Sequence, residues 1–365
     1  MLTCRRHRAL TLTTAPIVVN YRYMHFGHWI QHLMRPTFNR MAICKSMIIR
    51  ILILSMLAIG MAAMASGAAW CQDYPNKTVR IVTGAAGGTS DFISRQIAQA
   101  ITGALGQPVV VDNRPGSVLP IEAVSKAAPD GYNLLIQGST VWVFPLLQKA
   151  PYDPVRDFAP ISLLTREPSM LAVHPSLPVR SLKELLALVK ARPGDINYGS
   201  TVGGMSHLGT ELLKSMTRAN IVHVPYKGVA AVTTAVISGE VQMVIMDATF
   251  LAPHVKSGRL RGLAVTTAEP SLLLPDLPTM ASSGLPGFDV AGRTGIYAPV
   301  NTPAAIVNRL NREVVRAVNS AEVKQKFLGV GVEPVGSSPE QFAAIIKSEY
   351  SRLGQVVRDA GIKLN

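Results

Sequence analysis

The stretch Thr78–Leu105, TVRIVTGAAGGTSDFISRQIAQAITGAL, decides the fold. It opens with a short apolar strand that ends at Thr83, continues through the glycine-rich turn 84–90, and becomes a helix from Asp91. The helix carries one apolar stripe, with a residue at every fourth position: Ile93, Ile97, Ile101 and Leu105. Such a stripe packs against a sheet, so the stretch predicts the first strand–turn–helix corner of an α/β fold.

The same alternation continues toward the C-terminus. Val109–Val111, a helix near 121–128 and Leu134–Ile136 extend the first stretch to a β-α-β-α-β unit. A second glycine- and serine-rich turn, 199–207, leads into a helix over 208–216 and belongs to a similar unit. Two α/β units with matching corners predict two lobes that face one cleft.

The composition restricts the class of protein. Hydrophobic residues make up 48% of the 365 residues and charged residues 16%, which excludes a disordered chain. The net charge is +14, but residues 1–73 hold eight of the 36 basic residues and one of the 22 acidic residues. Residues 74–365 therefore carry about +7, a net positive charge that attracts anions. No basic run is interleaved with aromatics after residue 73, so no nucleic-acid partner is expected.

The N-terminus has the pattern of an export signal. A basic flank precedes the apolar run 51–63, and small residues follow it, as in a cleaved signal peptide over 41–69. The alternative is a retained membrane anchor, which needs roughly 18–20 unbroken apolar residues. Residues 1–40 have no place before such a signal, so we expect a non-native extension there, with translation starting at Met41 or Met47. The mature protein is then expected in the periplasm.

Both glycine turns predict anion-binding corners. A glycine-rich turn at the start of a helix presents unpaired backbone N–H groups and a partial positive charge. Hydroxyl groups in the turns can also donate to a carboxylate: Thr89, Ser90, Ser200, Thr201 and Ser206. The alternative is that each turn is only a tight corner. Neither turn matches a Walker loop or Gly-x-Gly-x-x-Gly, so no nucleotide is expected.

The remaining polar residues indicate no catalytic or metal centre. Asp91 is either a pocket residue or a helix N-cap, and Asp247, which ends an apolar strand, is either a pocket residue or the partner of a buried group. Four histidines follow residue 73, without HExxH or paired spacing: His174, His207, His223 and His254. No Gly-x-Ser-x-Gly elbow is present, and the three cysteines precede residue 72. We therefore expect no enzyme activity, no metal and no cofactor.

Seven short segments, in order along the chain, resemble one known family. They are 111–116 (VDNRPG), 127–132 (AAPDGY), 151–158 (PYDPVRDF), 191–194 (ARPG), 223–228 (HVPYKG), 257–265 (SGRLRGLAV) and 300–303 (VNTP). These motifs are similar to those of the Bug family, the extracytoplasmic solute receptors of tripartite tricarboxylate transporters. The resemblance extends over essentially all of 74–365.

The resemblance implies a fold and a function. The fold is α/β and periplasmic-binding-protein-like (type II), with lobe 1 over 74–174 and 297–365, lobe 2 over 175–296, and a hinge of two crossing strands. The function is capture of a small carboxylate (a di- or tricarboxylate, an acidic amino acid or an aromatic acid) by hinge closure, and its delivery by a monomeric receptor to membrane permease subunits. The alternatives are a receptor that feeds a signalling system and, second, a periplasmic enzyme acting on a small acid.

The resemblance also implies the ligand-binding residues. Carried over by position, they are Gly87, Gly88, Thr89 and Asp91 in the first turn, Ser200, Thr201, Gly203 and Ser206 in the second, and Ser139 and Asp247. The first turn lacks the proline and the aromatic residue usual in the family, and Arg293-Thr294-Gly295 replaces a Trp-Phe-Gly-like stretch. We hypothesise that Arg293 pairs with a distal carboxylate of a strongly anionic ligand. The alternative is a solvent-facing hinge arginine.

Overall fold

The computed structural model describes residues 74–363, together with the single helical residue Met56. Apart from Met56, the expected extension 1–40 and signal peptide 41–69 lie outside the described residues, so both stay predictions. No helix within the described part of the chain is long and apolar enough to cross a membrane.

The first half of the fold alternates strands and helices from β1 to α3. Its elements are β1 (Val79–Thr83), α1 (Thr89–Leu105), β2 (Val109–Asn113), α2 (Leu119–Ser125), β3 (Asn133–Gly138) and α3 (Thr140–Leu147). β1 lies between β2 and β3 and pairs in parallel with both. All four residues of the apolar stripe on α1 are buried in the core beneath this sheet, which confirms the predicted corner.

The second half repeats the alternation after a long strand. Its elements are β4 (Phe158–Val173), α4 (Leu182–Ala191), β5 (Asn197–Ser200), α5 (Met205–Thr217), β6 (Val222–Pro225), α6 (Val229–Ser238), β7 (Met243–Asp247), α7 (Ala248–Lys256) and β8 (Arg261–Val265). The chain then returns toward the first half through β9 (Ala291–Pro299), α8 (Ala304–Asn319), α9 (Ala321–Gly329), β10 (Glu333–Pro334) and α10 (Pro339–Asp359).

Two strands link the halves. The strand order within the described residues is β2-β1-β3-β9-β4-β7-β5-β6, and β8 and β10 also pair with β4. Residues 158–168 of β4 pair antiparallel with β9, which in turn pairs with β3 of the first half. Residues 169–173 of β4 pair with β7 and β8 of the second half. β4 and β9 are therefore the two crossing strands that the resemblance implied.

Each half has an apolar core of its own, and a further cluster joins Leu208 of α5 to Val82 and Trp142 of the first half. In the first, α1 and α8 pack on the strands, with Ile97 and Leu310 fully buried. In the second, Leu185 of α4 and Tyr198 of β5 are fully buried. Val356 of α10 also packs in this second core, although its helix follows β9 and lies in the expected lobe 1. The C-terminal helix therefore touches both halves, and the lobe boundaries stay a proposal.

Candidate functional site

A cavity of about 370 Å³ lies between elements of the two halves. Its lining residues are Ser117, Gly138, Ser139, Thr140, Val143, Phe144, Leu147, Glu167, Gly203, Gly204, Met205, Gly292 and Arg293. The apolar part of the lining comes from one face of α3 and from Met205. Phe144 gives the cavity an aromatic side chain, although the first glycine turn has none. The cavity therefore suits a small molecule with both apolar and polar parts.

Two helices begin at this cavity, α3 after Ser139 and α5 after Gly204. No side chain caps either helix. In α3 the N–H of Trp142 donates to Ser139 O (3.1 Å), but the N–H groups of Thr140 and Val141 have no partner in the described residues and are available to a ligand. By contrast, serine side chains cap α4, α9 and α10 at Ser181, Ser320 and Ser338. Open N–H groups and partial positive charge at two helix starts favour an anion in the space between them.

Both predicted glycine turns have the same backbone geometry. In each Gly-Gly pair the first glycine has a positive φ, 82° at Gly87 and 74° at Gly203, where a side chain would be strained. The second glycine is extended and directly precedes the helix. The helices therefore begin at Thr89 and Met205, two and three residues earlier than the predicted starts. The predicted turns were too long because the glycine pair itself ends each turn.

Two backbone N–H groups of the second turn are already used by the protein. Gly203 N–H donates to His207 Nδ1 (3.1 Å), and Gly204 N–H donates to Thr201 O (3.1 Å). A Cβ at Gly204 would come within 2.6 Å of Thr201 Oγ1, so only glycine fits there without a shift. The open donors are instead the N–H groups of the first helical residues, Met205 and Ser206, which have no partner in the described residues.

Aromatic rings support the second turn from behind. The ring centroids of His207 and His223 are 4.1 Å apart, and Tyr198 stacks on His223 at 4.8 Å. Burial lowers the pKa of His207 to about 4, so its Nδ1 is an unprotonated acceptor for Gly203 at neutral pH. Ser200 Oγ lies 2.7 Å from His223 Nε2 on the neighbouring strand. Ser200 is fully buried and does not line the cavity, so we assign this contact to the support of the turn.

The first turn lies outside the cavity lining and is held by its own aspartate. Asp91 accepts hydrogen bonds from Gly87 N–H (2.9 Å), Asn113 Nδ2 (2.8 Å) and Arg95 Nε (3.2 Å). Burial raises the pKa of Asp91, but these hydrogen bonds outweigh burial and hold the pKa below its usual value. The N-cap of α1 is Gly88, so Asp91 stabilises the turn through its hydrogen bonds and does not cap the helix.

Arg293 lines the cavity, but its guanidinium contacts carboxylates of the protein. Nη1 contacts Glu349 Oε1 of α10, and Nη2 lies 2.6 Å from Asp289 Oδ2. Glu349 Oε2 also accepts a hydrogen bond from Trp142 Nε1 (2.9 Å). The Arg293 side chain is 6% exposed and does not face solvent. Because two carboxylates already neutralise it, its pairing with a ligand stays a prediction.

Glu167 is an acidic residue of the lining that the sequence did not indicate. It stands in β4 opposite Gly292 of β9, and a Cβ on that glycine would clash with Glu167 Oε2. Oε1 accepts a hydrogen bond from Thr294 Oγ1 (3.1 Å). Burial, reinforced by the negative charge of Asp247, raises the pKa of Glu167 to about 7. A long strand of mixed polar and apolar residues gave no sequence signal for this position.

The structure brings only part of the predicted site together. Ser139, Gly203 and Arg293 line the one cavity, and Ser139 Oγ accepts a hydrogen bond from Arg293 N–H (3.1 Å). Asp247 caps α7, with Oδ1 accepting from Thr249 N–H (2.8 Å). The predicted residues outside the lining are Gly87, Gly88, Thr89, Asp91, Ser200, Thr201, Ser206 and Asp247. Contact of these eight residues with a ligand stays a prediction.

Comparison with known proteins places the chain in a family. Residues 93–362 match the family described as tripartite tricarboxylate transporter family receptor. Protein BugT of Bordetella pertussis is 35% identical to this chain over 298 residues, which is 80% of this chain and 91% of BugT.

Solved structures give the same result. The R. palustris protein Rpa4515, solved with adipate, is 35% identical, with a TM-score of 0.61, covering 80% of this chain and 99% of that one. MatC (Rpa3494) from Rhodopseudomonas palustris, solved with bound malate, is 30% identical, with a TM-score of 0.58, covering 78% of this chain and 100% of that one. The periplasmic-binding-protein fold expected from the resemblance is thereby confirmed. The chain therefore belongs to the tripartite tricarboxylate transporter receptor family and is a Bug-type periplasmic solute-binding receptor.

Proposed function

We propose that this receptor captures a small carboxylate in the cavity at the starts of α3 and α5. Its two lobes, 74–174 with 297–365 and 175–296, close on the ligand by bending at the crossing strands β4 and β9. In the closed form the first glycine turn, with Gly87 to Asp91, reaches the ligand from the other side. The closed receptor then delivers the ligand to the permease subunits of a tripartite transporter.

The convergence of two uncapped helix starts on one cavity carries this proposal. Neutral N–H donors and helix dipoles can hold a carboxylate without a fixed ion pair, because they are already oriented when the ligand arrives. Two relatives were solved with short dicarboxylates, Rpa4515 with adipate and MatC with malate. The cavity volume of about 370 Å³ is at the small end of ligand pockets, as such a molecule requires.

A thermal-shift screen tests the capture of a carboxylate. The protein is unfolded and refolded to remove any ligand carried from the cell, then heated with adipate, malate, aspartate or nicotinate. A ligand at 100 times its Kd stabilises the folded state by about 2.7 kcal/mol, which raises the Tm by several degrees. The proposal is wrong if no carboxylate raises the Tm while a neutral or cationic solute of similar size does.

Transport and signalling are separated by deleting the gene. If the receptor serves a transporter, cells lacking it lose uptake of the acid found in the screen. If it serves as a sensor, uptake is unchanged and a transcriptional response to the acid disappears. Incubating the purified receptor with the acid, and comparing the mass of the acid before and after, tests the third alternative of an enzyme.

A further inference from the structure

The proposed carboxylate site contains a carboxyl group of its own. Glu167 lines the same cavity as the starts of α3 and α5, yet it has no ion-pair partner among the residues that the structure describes. Glu167 is half-buried. A carboxylate that is largely removed from water and has no cation is costly, so a residue of this kind is retained where it meets a specific partner.

The charges around Glu167 do not compensate for it. Arg293, on the paired strand β9, is neutralised by Asp289 and Glu349. Arg166 is the neighbour of Glu167 in β4, but its Nη2 lies 2.7 Å from Glu333 Oε2, so its charge is neutralised by that carboxylate. Among the described residues, the other charged group that acts on Glu167 is Asp247, which is also negative. The field at this end of the cavity is therefore unfavourable for a second anionic group.

One oxygen of Glu167 is left for a ligand. Oε1 is occupied by Thr294 Oγ1 at 3.1 Å, whereas Oε2 has no hydrogen-bond donor in the described part of the chain. Gly292, directly across the strand pair, makes room for Oε2 because any side chain there would clash with it. A carboxylate oxygen in this position can accept a hydrogen bond from an N–H or O–H group of the ligand.

We propose that Glu167 is a specificity-determining residue that accepts a hydrogen bond from an ammonium or hydroxyl group of the ligand. The cavity then selects amino- or hydroxycarboxylates over the unsubstituted dicarboxylates of the same length. This inference rests on the proposed function, since the ligand carboxylate itself is held by the starts of α3 and α5. The apolar face of α3 packs against the carbon skeleton between the two polar groups.

Calorimetric titration at pH 8 of two matched series tests the inference: succinate, malate and aspartate, and adipate, 2-hydroxyadipate and 2-aminoadipate. In the series whose chain length fits the cavity, the wild-type protein binds the amino or hydroxy acid about 10- to 100-fold more tightly than the unsubstituted acid. This ratio corresponds to the usual free-energy contribution of one hydrogen bond to a charged group. Comparing the affinities of the amino acid and the hydroxy acid shows whether Glu167 prefers an ammonium or a hydroxyl group.

The variant Glu167→Gln removes the charge and keeps the shape. Its amide can donate to a carboxylate, so the unsubstituted acid gains affinity relative to wild type and the preference for the ammonium-bearing acid collapses. A merely structural role for Glu167 could weaken all ligands together but could not produce a gain. Glu322→Gln, on the exposed surface of α9, is the matched control and leaves the whole ranking unchanged.

The outcomes separate the two proposals. If acids bind but wild type and Glu167→Gln give the same order of affinities, Glu167 does not contribute to ligand specificity. The inference is then overturned, while the proposed function stands. If no acid of either series binds either protein, the proposed function fails and the inference fails with it.

Discussion

The raised pKa of Glu167 makes the stability of the ligand-free receptor depend on pH in a direction unusual for a carboxyl group. Its pKa rises from 4.5 to about 7, which corresponds to roughly 3 kcal/mol. Between these two values the unfolded chain has released the proton that the folded chain still holds. The free energy of unfolding therefore falls as the pH rises from 4.5 to 7, and this contribution is lost completely above pH 7.

The variant Glu167→Gln cannot titrate, so it keeps the stability that the wild type loses. We expect the two proteins to be similar near pH 4.5, and the variant to be more stable by up to roughly 3 kcal/mol at pH 8, or about 5–10 °C in Tm. Its side-chain oxygen can still accept the hydrogen bond from Thr294 Oγ1, so little packing changes.

Urea unfolding followed by circular dichroism, on refolded protein at pH 5, 6, 7 and 8, measures this difference. The control Glu322→Gln removes an exposed carboxylate whose pKa is lowered by its hydrogen bond to Lys326. Its pKa in the folded state lies below the ordinary value, so the group is largely ionised in both states above pH 5 and the difference between Glu322→Gln and wild type stays nearly flat from pH 5 to 8. An equally flat difference for Glu167→Gln would refute the reasoning, since it would mean that Glu167 ionises like an exposed carboxyl.

Three further expectations follow from the site. Arg293→Met removes the nearer of two cations from the buried carboxyl group of Glu349, because Arg352 Nη2 lies 3.9 Å from Oε1. The variant should destabilise the fold by about 3 kcal/mol, whereas adding Glu349→Gln should restore most of it; a thermal melt of the single and double variants measures both. Gly204→Ala crowds the start of α5 and should lower carboxylate affinity by at least about tenfold in calorimetry with a small change in Tm, while an unchanged affinity would remove α5 from the site. His207→Asn keeps a hydrogen-bond acceptor but does not titrate. His207 costs the wild type stability as the pH falls from 6.5 to 4, so the variant should gain stability relative to wild type over that range, as urea unfolding of both proteins would show.

The corners of the fold were predictable because they depend on local sequence. The apolar stripe of α1 and the glycine pairs at Gly87 and Gly203 act within a few residues of the chain. The long strand β4 was not predictable in this way, since Pro160, Pro168 and several polar residues interrupt any strand pattern. Its strand conformation comes from pairing with β9 on one side of the crossing and β7 on the other.

The site was predictable only where a family resemblance supplied positions. Ser139 and Gly203 line the cavity at positions that the resemblance supplied. Arg293 also lines it, at a point where the sequence departs from the family, but its partner Glu349 lies in a distant segment. Glu167 was missed because its environment is made by tertiary packing, including a hydrogen bond from Thr294, 127 residues further along the chain. Contacts between distant segments of the chain leave no periodic pattern or motif spacing in the sequence, so the burial and charge environment of Glu167 could not be predicted.

The strand that both halves share also determines when the protein can fold. β4 begins at Phe158, and its partner in the ladder is Pro299, well over 100 residues further along the chain. The first half cannot complete its sheet until synthesis has passed that point, because β9 pairs with β3. Such distant pairings close slowly, since a long loop must first be ordered. Premature folding of the first half during synthesis is therefore disfavoured by the topology itself. A periplasmic receptor benefits from this delay, since a chain whose first half folds late is easier to carry across the inner membrane.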